Sequence, residues 1–142
     1  MDHELPLKKV FEARDRDKTT SLISQYLAAR PEMLFAYLFG SVLESDSFHD
    51  IDVAVYVRDA RGIGDSLDYT LKMSLELERM LGFPVDIVLM NSAPDHLIHS
   101  ISKGSVLMNR DDDVRVDFIT SSWSRYFDVQ GKRRQAIADM LS

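Results

Sequence analysis

The segment HDIDVAVYV, residues 49–57, constrains the fold more than any other stretch of the chain. From Ile51 to Val57 it is rich in β-branched residues and reads as a strand. Two aspartates, Asp50 and Asp52, are set into this apolar run. Residues two apart in a strand point to the same face, so the two carboxylates project side by side, and Ile51, Val53, Val55 and Val57 take the other face. Carboxylates roughly 5 Å apart repel by about 3 kcal/mol at an effective dielectric near 20. A solvated strand end relieves that repulsion, and so does a cation between the two. A hard cation such as Mg²⁺ takes oxygen ligands, one or two protein carboxylates together with substrate phosphates.

A third acid, Asp86, lies in another apolar run, FPVDIVLM, residues 83–90. If this strand pairs beside the first, Asp86 can point to the same face, and three carboxylates then converge. Such a site stabilises the attacking and leaving oxygens of a phosphoryl displacement. Taken singly, each acid reads equally well as a strand-end residue facing water. Upstream, the run Met33 to Phe39 ends directly in Gly40-Ser41. Glycine allows close backbone approach, and free N–H groups with a hydroxyl at the start of a helical turn suit phosphate. Alone, the dipeptide is an ordinary turn. Its meaning comes from the order strand, Gly-Ser, short loop, Asp-x-Asp strand.

The rest of the chain falls around these strands. A first helix starts at Thr20 or Ser21, presents Leu22, Ile23, Tyr26 and Leu27, and stops before Pro31. Residues 1–17 are polar and read as partly loose. Asp65 to Leu81 reads as a helix with Leu67, Leu71, Ser74, Leu77 and Leu81 along one stripe, stopped by Gly82 and Pro84. Val85 to Met90 is a strand. Pro94 to Ser102 is a short helix with Ser92 as a cap, and Ser105 to Met108 a fourth strand or edge. Residues 111–142 form a C-terminal helical segment with acids at its start, an apolar face of Ile119, Trp123, Tyr126 and Phe127, and a kink or division at Gly131. The expected class is α+β (α/β): one domain over residues 1–142, a small mixed sheet flanked by helices.

Composition narrows the chemistry. The 142 residues include no cysteine, which excludes disulfides, thiolate-held zinc and cysteine nucleophiles. The formal net charge is −6, so direct nucleic-acid binding is not expected. No apolar run is long enough for a membrane span, and the charged N-terminus lacks a secretory signal. The expected location is the cytoplasm. Lys132-Arg133-Arg134 is the one compact basic cluster, read as a solvated helix face or as a contact for an acidic partner. His96 and His99 read as surface residues, Asp111-Asp112-Asp113 as a helix cap, Tyr37 and Tyr56 as structural, and the methionines as core filler.

Together, Gly40-Ser41, Asp50 and Asp52 in HDIDVAVYV, and Asp86 in FPVDIVLM resemble the signature of the minimal nucleotidyltransferases (MNT proteins) of the DNA polymerase β-like superfamily. A tail with SVLMNRDDDVRVDF leading into a final helix is also similar. The resemblance covers roughly residues 20–130. It implies a polymerase β-like nucleotidyltransferase core, Mg²⁺ held by Asp50, Asp52 and Asp86, and phosphates of ATP held by Gly40 and Ser41. It also implies that Asp86 helps to activate the acceptor hydroxyl. MNT proteins are often antitoxins that transfer AMP from ATP to a tyrosine of a HEPN-class toxin, so a hetero-oligomer with such a toxin is implied. The C-terminal helix, with Trp123, Tyr126, Phe127 and the basic cluster, is a docking surface on this reading, or core packing on the plainer one. This chain departs from the family pattern in the loop. Only Val42 to His49 separates Ser41 from Asp50, Glu44 stands where an arginine is common, and His49 replaces a serine. Those departures suit an alternative in which the protein neutralises its partner by binding alone.

Overall fold

In the computed structural model, which describes residues 13–40 and 51–142, four strands form one sheet with helices on both faces. The elements run α1 (Ala13–Ala28), β1 (Met33–Phe39), β2 (Ile51–Val57), α2 (Ser66–Leu81), β3 (Val85–Leu89), a 3₁₀ turn (Met90–Ser92), α3 (Asp95–Ser102), β4 (Ser105–Asn109) and α4 (Asp112–Leu141). The strand order is β3-β2-β1-β4. β1 pairs antiparallel with β2 and with β4, and β2 pairs parallel with β3 through the α2 crossover. This is the expected α+β class with a mixed sheet, and β4 is indeed an edge.

Alternation along the strands divides the core in two. Ile51, Val53, Val55 and Val57 meet Ala36 and Leu38 of β1 and Val85 and Leu89 of β3 on one face, under Ile23 and Leu27 of α1 and Met73 and Leu77 of α2. Phe35, Tyr37 and Ala54 occupy the other face with Met90, Ile98 and Ile101, and Tyr56, Phe118 and Ile119 pack against them. Each fully buried aliphatic side chain contributes about 1.5–3 kcal/mol.

Polar ties fix the helices on the sheet. The Arg110 guanidinium donates to the carbonyls of Ala28 (2.6 Å), Arg30 (3.0 Å) and Met33. It thereby satisfies the last carbonyl of α1, which the helix cannot, and ties it to the following turn and to the first residue of β1. Ser24 Oγ donates to Leu107 O at 2.6 Å, and Ser74 Oγ donates to Val85 O. Between α1 and α2, Arg30 bonds Glu76 at 2.7 Å and stacks over the Tyr26 ring, whose hydroxyl donates to Glu76. Burial, followed by the bond to Glu76, pushes the Tyr26 phenol up to about 12.

Four local expectations change. α1 begins at Ala13, well before Thr20, because apolar periodicity marks only the turns that meet the core; Asp17 and Lys18 are helical and exposed. Residues 1–12 lie outside the described residues. Ser92 belongs to the 3₁₀ turn, and Pro94 stands at the N-cap position of α3, which no side chain caps. α4 runs unbroken through Gly131, for a solvent-exposed glycine weakens a helix by roughly 1 kcal/mol without breaking it. The stripe assigned to α2 is only half right. Leu77 is buried, with Met73, whereas Leu67, Leu71, Leu75 and Met80 are exposed. Methionines follow suit: Met33, Met73 and Met90 are buried, but Met80 and Met140 are not. Asp65, read from the sequence as the first helical residue, is the cap of α2, accepting from the Asp68 amide, and Gly82 closes the helix in the left-handed region at φ 79°. Asp111 caps α4 by accepting from the Val114 amide.

The two faces of α2 predict opposite mutational costs. Leu77→Ala should destabilise the fold by about 2–5 kcal/mol through a core cavity, and Leu71→Ala should stay within about 0.5 kcal/mol at concentrations where the chain is monomeric. Urea denaturation followed by circular dichroism measures both.

Candidate active site

The parallel register of β2 and β3 decides the geometry of the acids. Asp52 stands opposite Asp86, one step inside the strand entrances, where Ile51 pairs with Val85. Register partners in a sheet project to the same side, so both carboxylates leave the face that carries Ala54, Tyr56 and Val88. Asp52 is half-buried and Asp86 exposed. On the other side of β2, Phe39 pairs with Asp52, which brings the end of β1 to the same place. Gly40 follows with φ 84°, a conformation that favours glycine. A methyl group there would overlap Asp52 Oδ2 and stand 3.3 Å from Asp52 Cγ. The backbone of Gly40 therefore lies directly against the Asp52 carboxylate, which no larger residue allows.

Three of the five residues singled out in the sequence, Gly40, Asp52 and Asp86, thus meet at one corner of the sheet. Ser41 and Asp50 lie outside the described residues, as do Glu44 and His49. Among the described residues no group of three His, Cys, Asp or Glu side chains is placed to hold a metal. Two carboxylates in register on one face, one of them against a glycine cradle, fit a hard divalent cation such as Mg²⁺, which needs few protein oxygens.

α3 and α4 cover the remainder of this face, held by contacts that the sequence pattern did not reveal. Asp95 accepts from Ser122 Oγ at 2.7 Å and from Arg125 Nη2 at 3.0 Å. The Arg125 guanidinium, then the Ser122 hydroxyl, holds the Asp95 carboxyl below the usual carboxylate range. His99 stacks on Tyr126 with ring centroids 4.4 Å apart and contacts Trp123 and Phe127, while the indole N–H donates to Ser102 Oγ at 2.7 Å. Trp123 and Tyr126 are therefore engaged within the fold; Phe127 is half exposed, and Lys132, Arg133 and Arg134 are exposed. His99 is not a plain surface residue, whereas His96 is exposed. Tyr37 is buried and its hydroxyl accepts from Arg115 Nη1 at 2.7 Å. Tyr56 stacks on Phe35 and borders a cavity of about 300 Å³ with Val114, Asp117, Phe118, Ser121 and Arg125. Its place on the acid-bearing face was readable from its even spacing to Asp52; the α4 residues opposite were not.

Residues 22–113, about two thirds of the chain, match the family profile described as polymerase beta, nucleotidyltransferase. The chain belongs to this family. Among solved structures, it is similar to a chain of the complex between tri-AMPylated Shewanella oneidensis HEPN toxin and MNT antitoxin. The identity is 25%, covering 89% of this chain and 99% of that one, with a TM-score of 0.69. It is also similar to a chain of the MntA–HepT toxin–antitoxin, with 25% identity, 89% and 99% coverage and a TM-score of 0.66. No curated protein matches it. Among the described residues, no helix is long and apolar enough to cross a membrane.

Two outcomes follow from the geometry. Gly40→Ala should destabilise the apo protein by more than about 1 kcal/mol, since alanine at positive φ is strained and its methyl meets Asp52; thermal denaturation measures this. For Asp95, the folded carboxyl titrates below its unfolded value near 3.9, so its stabilisation is complete above about pH 4 and is lost as pH falls through the folded value. Asp95→Asn should therefore lower the melting temperature at pH 7, and the gap to the parent should narrow below about pH 4.

Proposed function

We propose that this protein is a Mg²⁺-dependent nucleotidyltransferase that moves AMP from ATP to a tyrosine of a partner HEPN-class toxin, and so acts as its antitoxin in the cytoplasm. The observation that carries this reading is the in-register pair Asp52 and Asp86 against Gly40, in a chain of the polymerase beta nucleotidyltransferase family. The similarity to the structure holding an AMPylated HEPN toxin and an MNT antitoxin supports the acceptor.

On this reading Asp52 and Asp86, with Asp50, hold Mg²⁺, and Gly40 and Ser41 hold the phosphates through backbone N–H groups and the serine hydroxyl. The ion supplies charge neutralisation at the reacting phosphate. The tyrosine oxygen attacks the α-phosphorus of ATP, the bond to pyrophosphate breaks, and the phenolic proton passes to Asp86. The products are AMP-tyrosine and pyrophosphate. Positioning and charge neutralisation provide most of the rate. The open face above Asp86 leaves room for a side chain of the partner to approach.

The loop departures, Glu44 above all, favour a second reading in which the protein blocks its partner by contact and transfers nothing. Incubation with ATP, Mg²⁺ and a HEPN-class partner, followed by intact mass measurement, separates the two. Transfer predicts an AMP adduct on the partner, slowed roughly 10²-fold or more in Asp52→Asn and Asp86→Asn, since several kcal/mol of charge stabilisation is lost. A tight complex with an unmodified partner under every nucleotide would overturn transfer and leave the contact reading.

A further inference from the structure

A lysine stands in line with the acids at the end of the sheet. Asp86 pairs with Asp52 across β3 and β2, Asp52 with Phe39 across β2 and β1, and Leu38 with Ser105 across β1 and β4. All four strands therefore meet at this end, β1 with its last residues and the others with their first. Gly104 carries the row on. A methyl group there would overlap Leu38 O and stand 3.1 Å from Phe39 Cβ, so its backbone lies against the end of β1, much as Gly40 lies against Asp52. Lys103 comes one residue earlier, level with Gly40 in this register. It is the C-cap of α3 and has right-handed helical dihedrals, so it lifts from β4 toward the helix that covers the acid-bearing face. Strands stand about 4.8 Å apart, so Lys103 begins about 10 Å from Asp52 across the sheet.

Charge at this corner is otherwise negative. Lys103 is exposed and makes no ion pair with a described residue. The segment Val42 to His49 includes Glu44 and Asp46 but no lysine or arginine. Arg30, Arg58 and Arg110 flank the strands at their opposite ends, and Arg115 and Arg125 are paired with Asp112 and Asp95. We propose that Lys103 is a substrate-binding residue that holds the β- and γ-phosphates of ATP. This rests on the nucleotidyltransferase reading given above. With the α-phosphate beside Asp52 and Asp86, Lys103 draws the remaining phosphates past Gly40 along the end of the sheet toward β4. The acceptor then approaches from the β3 side, over exposed Asp86, opposite to the leaving group, as an in-line displacement needs. An ammonium is a point charge with three rotatable donors on a flexible stem, which suits phosphates that are held and then released. A cation at a helix C-terminus also stabilises the helix through its dipole, and the test separates the two roles.

Isothermal titration calorimetry of the full chain with Mg²⁺ compares ATP with AMP. Lys103→Gln should weaken ATP binding about tenfold, the worth of a charge-assisted contact, and leave AMP binding unchanged. Lys103→Arg should restore most of the affinity for ATP, and Lys103→Glu should lower it further than Lys103→Gln does. A Lys103→Gln protein that binds ATP as tightly as the parent overturns the proposal, whatever its melting temperature. So does an equal weakening of ATP and AMP, the mark of a merely structural role. A parent that binds no ATP overturns this proposal and the nucleotidyltransferase reading together. A parent whose ATP affinity depends on Lys103 but which modifies no HEPN-class partner leaves the phosphate contact standing and removes AMP transfer alone.

Discussion

The parallel, in-register pairing of β2 with β3 is the constraint on which the candidate site depends. It sets Asp52 beside Asp86 and aims both carboxylates away from the valine-rich face that α1 and α2 cover. A slip of one residue in β3 would reverse this, turning Asp86 into the apolar layer and Val85 out of it. An unpaired charge in that layer would cost several kcal/mol, so the hydrophobic core itself holds the acids in place. Their mutual repulsion is tolerated because they stand near the strand entrances, where Asp86 meets solvent.

The two faces of the sheet divide the labour. One is a conventional core in which Leu27, Val53, Val55 and Leu77 interlock without exposure. The other is shared between packing and chemistry. α3 and α4 cover Phe35 and Tyr37, tied to each other through Asp95, Ser122 and Arg125 and through the stack of His99 on Tyr126. The acid-bearing corner is left accessible. Arg110, by bonding the carbonyls of Ala28 at the end of α1, Arg30 in the turn and Met33 at the start of β1, holds β1 to that helix and so helps to fix the strand that delivers Gly40.

α2 illustrates how a helix can mislead. Leucines at positions 67, 71 and 75 repeat with a period that suits a buried stripe, yet Met73 and Leu77 are the residues that enter the core. Both stripes are amphipathic candidates, and the chain offers no local signal to choose between them. The choice falls to the crossover from β2 to β3, which orients the helix. A similar limit applies to Trp123 and Tyr126, whose partner His99 comes from a different helix.

The sequence by itself determined the strands, the parity of each aspartate along its strand and the glycine that follows β1, because these depend on neighbours within a few residues. Short β-branched runs, the aspartate cap of α4 and a glycine stop are local physics. Only the tertiary structure decided that Asp86 shares a face with Asp52, that Gly40 presses on the Asp52 carboxylate, and which side of α2 is buried. Strand pairing and helix docking join residues far apart in the chain, and the burial that selects among them exists only once the whole sheet has formed.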